Sequence, residues 1–447
     1  MSIEKLKDQI KDKGAANAIV CINPVTMMPY DTSASALVGK VSRVPPMVDQ
    51  FLLSELSGLF QLGWDELRAS GKVDAKQLGS YTPVLQRLLS ADQTVQSPNM
   101  VYFPLLGIAY GAVNETALNK LESNRAVDDI QSVSDSLGLI EPVDDEDLDE
   151  RTDDHQEDKE IAWGVERMGA PKLWKQGLTG KDILVAHMDT GVDTTHPALA
   201  KVVSHHRMIS KDGQEASELE QYVDSSAHGT HTAGIIAGQD VAGEPLVGMA
   251  PGAKLASATV INGGDTFARL LAGLEFALEA NARIISISLG ISPFDDSLMG
   301  IMNTLRTQQL LPVVAIGNDP LSSASPGNYS NVLSVGATDS HNRVAPFSGS
   351  AKRSGYGVGP TLCAPGSKIL SAAAGGGYKA QNGSSMAAPH VAGLAALLLE
   401  SNPYATSDQI QQAIVASCTN PANVNPDKIG AGIPDGLKAL EKLKEMF

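Results

Sequence analysis

Apolar positions change their period along this chain, and the change divides it. Near the start, Ala18-Ile19-Val20-Cys21-Ile22 is a short unbroken apolar run, the mark of a buried strand. Over residues 48–67, Val48, Phe51, Leu52, Leu56, Leu59 and Phe60 recur at helical spacing and predict a helix. Residues 101–113 read as one strand. Asn114, followed by Glu115-Thr116, is a capped start for a helix through Leu121, with another strand expected over 129–133. These elements make an α+β module.

Beyond residue 160 the pattern becomes strand-then-helix. Ile183-Leu184-Val185-Ala186 predicts a buried strand that ends at Asp189. Residues 266–280 place Phe267, Leu270, Leu271 and Leu274 on one helical face and lead into Arg283-Ile284-Ile285-Ser286-Ile287-Ser288. Residues 312–316 and 332–335 predict further strands. Such alternation implies an α/β fold with a mostly parallel sheet and helices on both faces. Sites in such folds form at the carboxyl ends of strands, where Asp189 and Asn318 fall.

Between the two patterns the chain is acidic. Asp144-Asp145-Glu146-Asp147, Asp149-Glu150, Asp153-Asp154 and Glu157-Asp158 are opposed by Arg151 and Lys159. Like charges repel and no apolar face is present, so 141–160 is expected to be an extended, protease-accessible linker between domains at 1–140 and 161–447.

The 447 residues fit two or three domains, and 43% hydrophobic with 19% charged residues is globular composition. A net charge of −17 argues against nucleic-acid or anionic-membrane partners, which need basic surfaces. Three cysteines, Cys21, Cys363 and Cys418, form no disulfide framework, and no Cys-x-x-Cys or His-x-x-x-His spacing suggests a metal. Charges interrupt the first residues, Met1-Ser2-Ile3-Glu4-Lys5-Leu6-Lys7, so no secretory signal is read there. The expectation is a cytoplasmic monomer, with unconventional export left open.

Chemistry concentrates in three islands: Asp189-Thr190-Gly191, His228-Gly229-Thr230-His231, and Gly383-Ser384-Ser385-Met386-Ala387-Ala388-Pro389-His390. A serine hydroxyl needs a base in reach, and the base needs an orienting acid. The expected roles are Ser385 as nucleophile, His228 as general base and acid, and Asp189 as the carboxylate that fixes the imidazole tautomer. Asn318, after Gly317, offers a side-chain amide to the developing oxyanion, and the helix opened by Ser385 offers N–H groups. Taken singly, an Asp at a strand end is usually a turn residue and a Ser opening a helix usually a cap. Three islands together in one chain outweigh those readings. Asp193, His187, His231 and His390 are read as scaffold, His187 standing where an apolar residue is expected.

From about Ile161 to the C-terminus the chain resembles the subtilases, the subtilisin-like serine endopeptidases. The likeness runs through Ala162-Trp163-Gly164-Val165, Met188-Asp189-Thr190-Gly191-Val192-Asp193, His196-Pro197, residues 228–234, Ala250-Pro251-Gly252-Ala253, residues 286–290, 315–318 and 383–393. It implies a subtilisin-like three-layer fold preceded by a small ferredoxin-like α+β propeptide domain. It also implies an acyl-enzyme on Ser385 in the order acid, base, nucleophile, and protein or peptide substrates. By the same resemblance, Ser288, Leu289 and Gly290 form the edge that pairs with substrate, and Ala315, Ile316 and Gly317 form one wall of the adjoining pocket. The N-terminal domain is implied as an intramolecular inhibitor, the chain as a zymogen processed near the acidic linker. No cofactor is implied for catalysis. A structural calcium ion is left open, since Ala198 stands where many subtilases have a calcium-binding aspartate. Asp319 either faces solvent or attracts a basic substrate side chain. Two other readings of the same residues stand: an acyl transferase in which an amine resolves the acyl-enzyme, and a permanently inhibited scaffold.

Overall fold

The computed structural model describes residues 2–23, 27–28, 47–48, 50–70, 100–133, 137–143, 160–208, 224–261, 266–292, 294–350, 359–421 and 424–447. The acidic run over 144–159 and most of 23–97 therefore lie outside the described residues. Two units are present. One is built on the N-terminal residues to Asp135 together with the helix Thr266–Glu279. The other comprises Ser136–Arg207, Gln221–Ile261 and Ala280–Phe447.

In the first unit the strand Ala15–Ile22 lies between Ile108–Asn114 and Val127–Ser132 and is antiparallel to both. Met100–Phe103 pairs outside Ile108–Asn114 and closes a four-stranded antiparallel sheet. With the helices Gln50–Ser70 and Glu115–Glu122 between strands, the order is the ferredoxin-like strand-helix-strand-strand-helix-strand. Its core gathers Leu6, Val20, Leu56, Phe60, Leu118 and Leu121. Asn114 caps its helix as expected, its side chain accepting the Ala117 N–H at 2.9 Å.

The single strand expected over 101–113 is a correction: it is two strands joined by Pro104-Leu105-Leu106-Gly107. Gly107, at φ +68°, closes the turn by donating its N–H to Phe103 O at 2.9 Å. The turn went unread because Leu105 and Leu106 are buried and continue the apolar run. Burial leaves their N–H groups needing an acceptor, and the carboxylate of Glu275 on the helix Thr266–Glu279 takes both, at 2.7 and 3.0 Å. Glu275 is itself fully buried. Glu275→Ala is expected to cost about 2–4 kcal/mol, because two buried donors lose a charged acceptor. Denaturant unfolding of the full chain measures it; an unchanged midpoint would show that the pairing is energetically idle.

The second unit holds a seven-stranded sheet in the order Leu362–Pro365, Leu333–Thr338, Leu311–Ala315, Ile284–Ile287, Leu184–Asp189, Lys254–Thr259, Val203–Met208. The pairings from Leu362–Pro365 through Lys254–Thr259 are all parallel. Leu184–Asp189, Ile284–Ile287, Leu311–Ala315 and Leu333–Thr338 are the expected strands, mostly apolar because both faces are buried; Lys254–Thr259, Leu362–Pro365 and Val203–Met208 were not expected. The helix Ser384–Ser401 is buried over residues 384–399 and packs beside the helix His228–Ala237. Among the described residues no helix is long and apolar enough to cross a membrane.

Candidate active site

The interior strand Leu184–Asp189 delivers Asp189 at its carboxyl end. The helix His228–Ala237 presents His228 at its first position, where His228 Nδ1 lies 2.7 Å from Asp189 Oδ1. Both side chains are about 2% exposed. The two islands can pack this closely because Gly229 lacks a side chain: a Cβ there would fall 2.0 Å from Gly191 O. Asp189 Oδ1 also accepts the Thr190 N–H at 2.8 Å, and Oδ2 accepts the Thr232 hydroxyl at 3.1 Å. Burial pushes Asp189 up, but the neighbouring His228, His187 and the Thr190 N–H more than reverse it, and its carboxyl lies below the usual range. Burial pulls His228 down, and the adjacent carboxylate outweighs it, aided by Asp224 and Glu141, so its imidazole lies above its ordinary value.

Ser385 is the second residue of the helix Ser384–Ser401, fully buried. Pro389 in that helix has no N–H to give to Ser385 O, and the Ser288 hydroxyl bonds that carbonyl instead, at 3.2 Å. Gly317, at φ +109°, turns the chain after Leu311–Ala315 and presents Asn318. Asn318 Oδ1 accepts both the N–H (2.8 Å) and the hydroxyl (2.9 Å) of Ser384. That fixes the amide with its NH2 toward the cleft.

A peptide segment of the chain itself runs along the expected substrate edge. Gly138 and Leu139 pair antiparallel with Gly290 and Leu289. The Ile140 N–H donates to Ser288 O at 3.3 Å. Ser385 donates its hydroxyl to Ile140 O at 2.9 Å, and Asn318 Nδ2 donates to Glu141 O at 2.7 Å. Downstream of Pro142, Val143 and Asn382 exchange bonds of 2.9 and 3.1 Å. His228 Nε2 has no hydrogen-bond partner among the described residues.

Sequence comparison gives the family. The profile of the Subtilase family matches residues 180–432. The chain belongs to the subtilase family. Subtilisin E from Bacillus subtilis (strain 168) is 32% identical over 272 residues, covering 59% of this chain and 68% of that protein. Subtilisin Savinase from Lederbergia lenta is 34% identical over 268 residues, covering 59% and 94%. This subtilase is accordingly a subtilisin-like serine peptidase, a hydrolase acting on protein or peptide substrates.

Of the expected substrate-binding residues in the subtilase, Ser288, Leu289 and Gly290 meet the segment through the backbone. Ala315 shares a packed cluster with the Ile140 side chain. The backbone bonds of Ile316 and Gly317 instead go to the scaffold, to Val335 and Ala324 from Ile316 and to Ser384 and Gly349 from Gly317. Asp319 is exposed and bonds the Leu321 N–H at 2.8 Å, a turn-forming contact. His231 and His390 are neutral scaffold: burial drives them down to about 3 and about 4. Asp193 bonds Thr195 and Gly375.

Two residues that sequence reasoning passed over matter here. Ser384 read as the nucleophile's neighbour, yet it aims the Asn318 amide. Asp224 gathers Thr190 Oγ1 (2.7 Å) and the Thr230 N–H and hydroxyl (2.6 Å each), capping the helix that starts at His228. An Asp four residues before the helix was a readable cap signal; its bond to Thr190 was not.

Proposed function

We propose that this subtilase is an endopeptidase made as a precursor whose own segment Gly138-Leu139-Ile140-Glu141-Pro142-Val143 lies in the substrate cleft, with Ile140–Glu141 the bond presented for cutting. In this reading Ser385 Oγ attacks the carbonyl carbon while its proton passes to His228 Nε2. Asp189 holds the imidazole by its Nδ1–H, and Asn318 Nδ2 steadies the oxyanion. His228 then returns the proton to the departing amine as the C–N bond breaks, and water hydrolyses the ester. Each proton and charge has a named side chain, so no cofactor is required. The observation that carries the reading is the Ser385 hydroxyl on Ile140 O at 2.9 Å, with the Ile140 N–H on the Ser288 carbonyl.

Asn318 donates to Glu141 O, one carbonyl beyond the one that Ser385 addresses. The oxyanion donor must move one residue before attack, which favours slow self-processing.

Intact mass spectrometry of the full chain and of Ser385→Ala, expressed side by side, tests it. Wild type is expected to be cut between Ile140 and Glu141 and the alanine variant to stay whole. The same fragments from both would assign the cut to another protease. Full-length protein in both, without peptide hydrolysis, would replace this reading by that of a permanently inhibited scaffold.

A further inference from the structure

Behind the Asp189–His228 pair lies a second buried imidazole. His187 is two residues before Asp189 on the same strand and about 1% exposed. Its Nδ1 is 3.1 Å from Ser257 Oγ on the adjacent strand, and its Nε2 is 2.9 Å from Thr232 Oγ1 on the His228 helix. Thr232 Oγ1 is in turn 3.1 Å from Asp189 Oδ2, the carboxylate oxygen that His228 does not touch. A buried strand between two others ordinarily carries an apolar side chain at such a position. An imidazole there is costly unless both ring nitrogens find partners, and both do.

We infer that His187 is a positioning residue for the relay: its Nε2–H occupies Thr232 Oγ1 and so directs the one hydroxyl proton of Thr232 to Asp189 Oδ2. Three acceptors compete for that proton, Asp189 Oδ2 at 3.1 Å, Gly229 O at 3.2 Å and His228 O at 3.3 Å. The two carbonyls belong to the preceding turn of its own helix, the usual target of a helical threonine. The tautomer follows from charge. His187 Nε2 faces Asp189 Oδ2 at 3.7 Å, where an N–H is attracted and a lone pair repelled. Ser257 then donates to Nδ1, and the chain runs Ser257 to His187 to Thr232 to Asp189 with every proton assigned. The charged and titratable groups facing His187 are Asp189 on its own strand, Asp224 before the helix and His228 on it. Burial holds the ring below its ordinary value against the pull of both carboxylates, so it serves as a fixed neutral dipole.

This inference rests on the relay proposed above. A carboxylate whose Oδ2 is bonded attracts the His228 Nδ1–H less strongly than one whose Oδ2 is free. Without His187, Thr232 can turn away, Asp189 becomes the stronger acceptor, and His228 binds its proton more tightly. The processed enzyme tests this through kcat, KM and the pH dependence of kcat/KM for His187→Leu, Thr232→Val, the two combined, and His187→Gln. His187→Leu is expected to lower kcat by about 10-fold with KM unchanged. The acid limb should move up by about half to one pH unit. The double variant should be no worse than Thr232→Val alone, as one chain requires. His187→Gln, whose amide can donate to Thr232, should recover most of the loss. If His187→Leu fails to fold, Ser257→Ala, which removes the ring's far anchor, must move the limb in the same direction. An unmoved limb in the folded variants, or additive losses in the double, overturns the role of His187. Ser385→Ala, cut in trans by an added protease and repurified, separates the two readings in the same assay: residual activity there would sink the relay itself, whereas an inactive Ser385→Ala beside an unmoved limb sinks His187 alone.

Discussion

Asp189→Asn is expected to lower kcat for peptide hydrolysis by about 10^4-fold, with KM nearly unchanged. The asparagine fits the same space, so the loss comes from protons. Around Asp189, the Thr190 N–H donates to Oδ1, the oxygen that also faces His228, and the Thr232 hydroxyl donates to Oδ2, while the Thr190 hydroxyl gives its proton to Asp224. In the variant the Thr232 hydroxyl draws the amide oxygen to the Oδ2 side, and the amide NH2 is left facing His228 Nδ1. The imidazole then holds its proton on Nε2, where it cannot take one from Ser385. The pH profile gives an independent reading. With aspartate, His228 lies above its ordinary value and must be neutral to act, so activity falls as pH drops through that raised value. Without the carboxylate, burial dominates and His228 titrates lower. The acid limb of kcat/KM should therefore move down, opposite to the shift expected for His187→Leu. A kcat near wild type, or an unmoved limb, would remove Asp189 from the relay.

What could be read from the sequence was whatever short-range chemistry enforces. Asp189, His228 and Asn318 stand where apolar runs end or helices begin, and their flanking glycines are required by close backbone approach, as Gly229 over Gly191 makes plain. The four expected strands of the parallel sheet were legible because burial on both faces leaves mostly apolar runs. The hidden parts depend on partners far along the chain. The turn at Leu105-Leu106 is apolar because its polar needs are met by Glu275, 169 and 170 residues away. Leu139-Ile140 is too short to show a period and borders an acidic run, so it read as the edge of a linker; its meaning comes from the edge Leu289–Gly290 that it joins. His187 was visible as an exception to an apolar pattern, but Thr232 and Ser257, which explain it, come from a different helix and strand.

Asn318→Leu is expected to lower kcat by about 10^2- to 10^3-fold, again with little change in KM, the scale of losing one preorganised donor to an oxyanion. Leucine keeps the volume and removes the Nδ2 donor that reaches into the cleft. The donor counts most when the carbonyl oxygen carries developing charge, which is why the loss falls on kcat. The pH profile distinguishes this variant from Asp189→Asn: Asn318 carries no charge and does not bond His228, so the acid limb should stay in place. Leucine also leaves the Ser384 N–H and hydroxyl without the Asn318 oxygen, so about 1–3 kcal/mol of stability should be lost as well. Thermal unfolding separates that cost from the catalytic one. Self-processing should slow along with hydrolysis of added peptide, since both pass through the same oxyanion. A folded Asn318→Leu protein with kcat within a few fold of wild type would move the oxyanion role to the backbone N–H groups at the start of the Ser384–Ser401 helix.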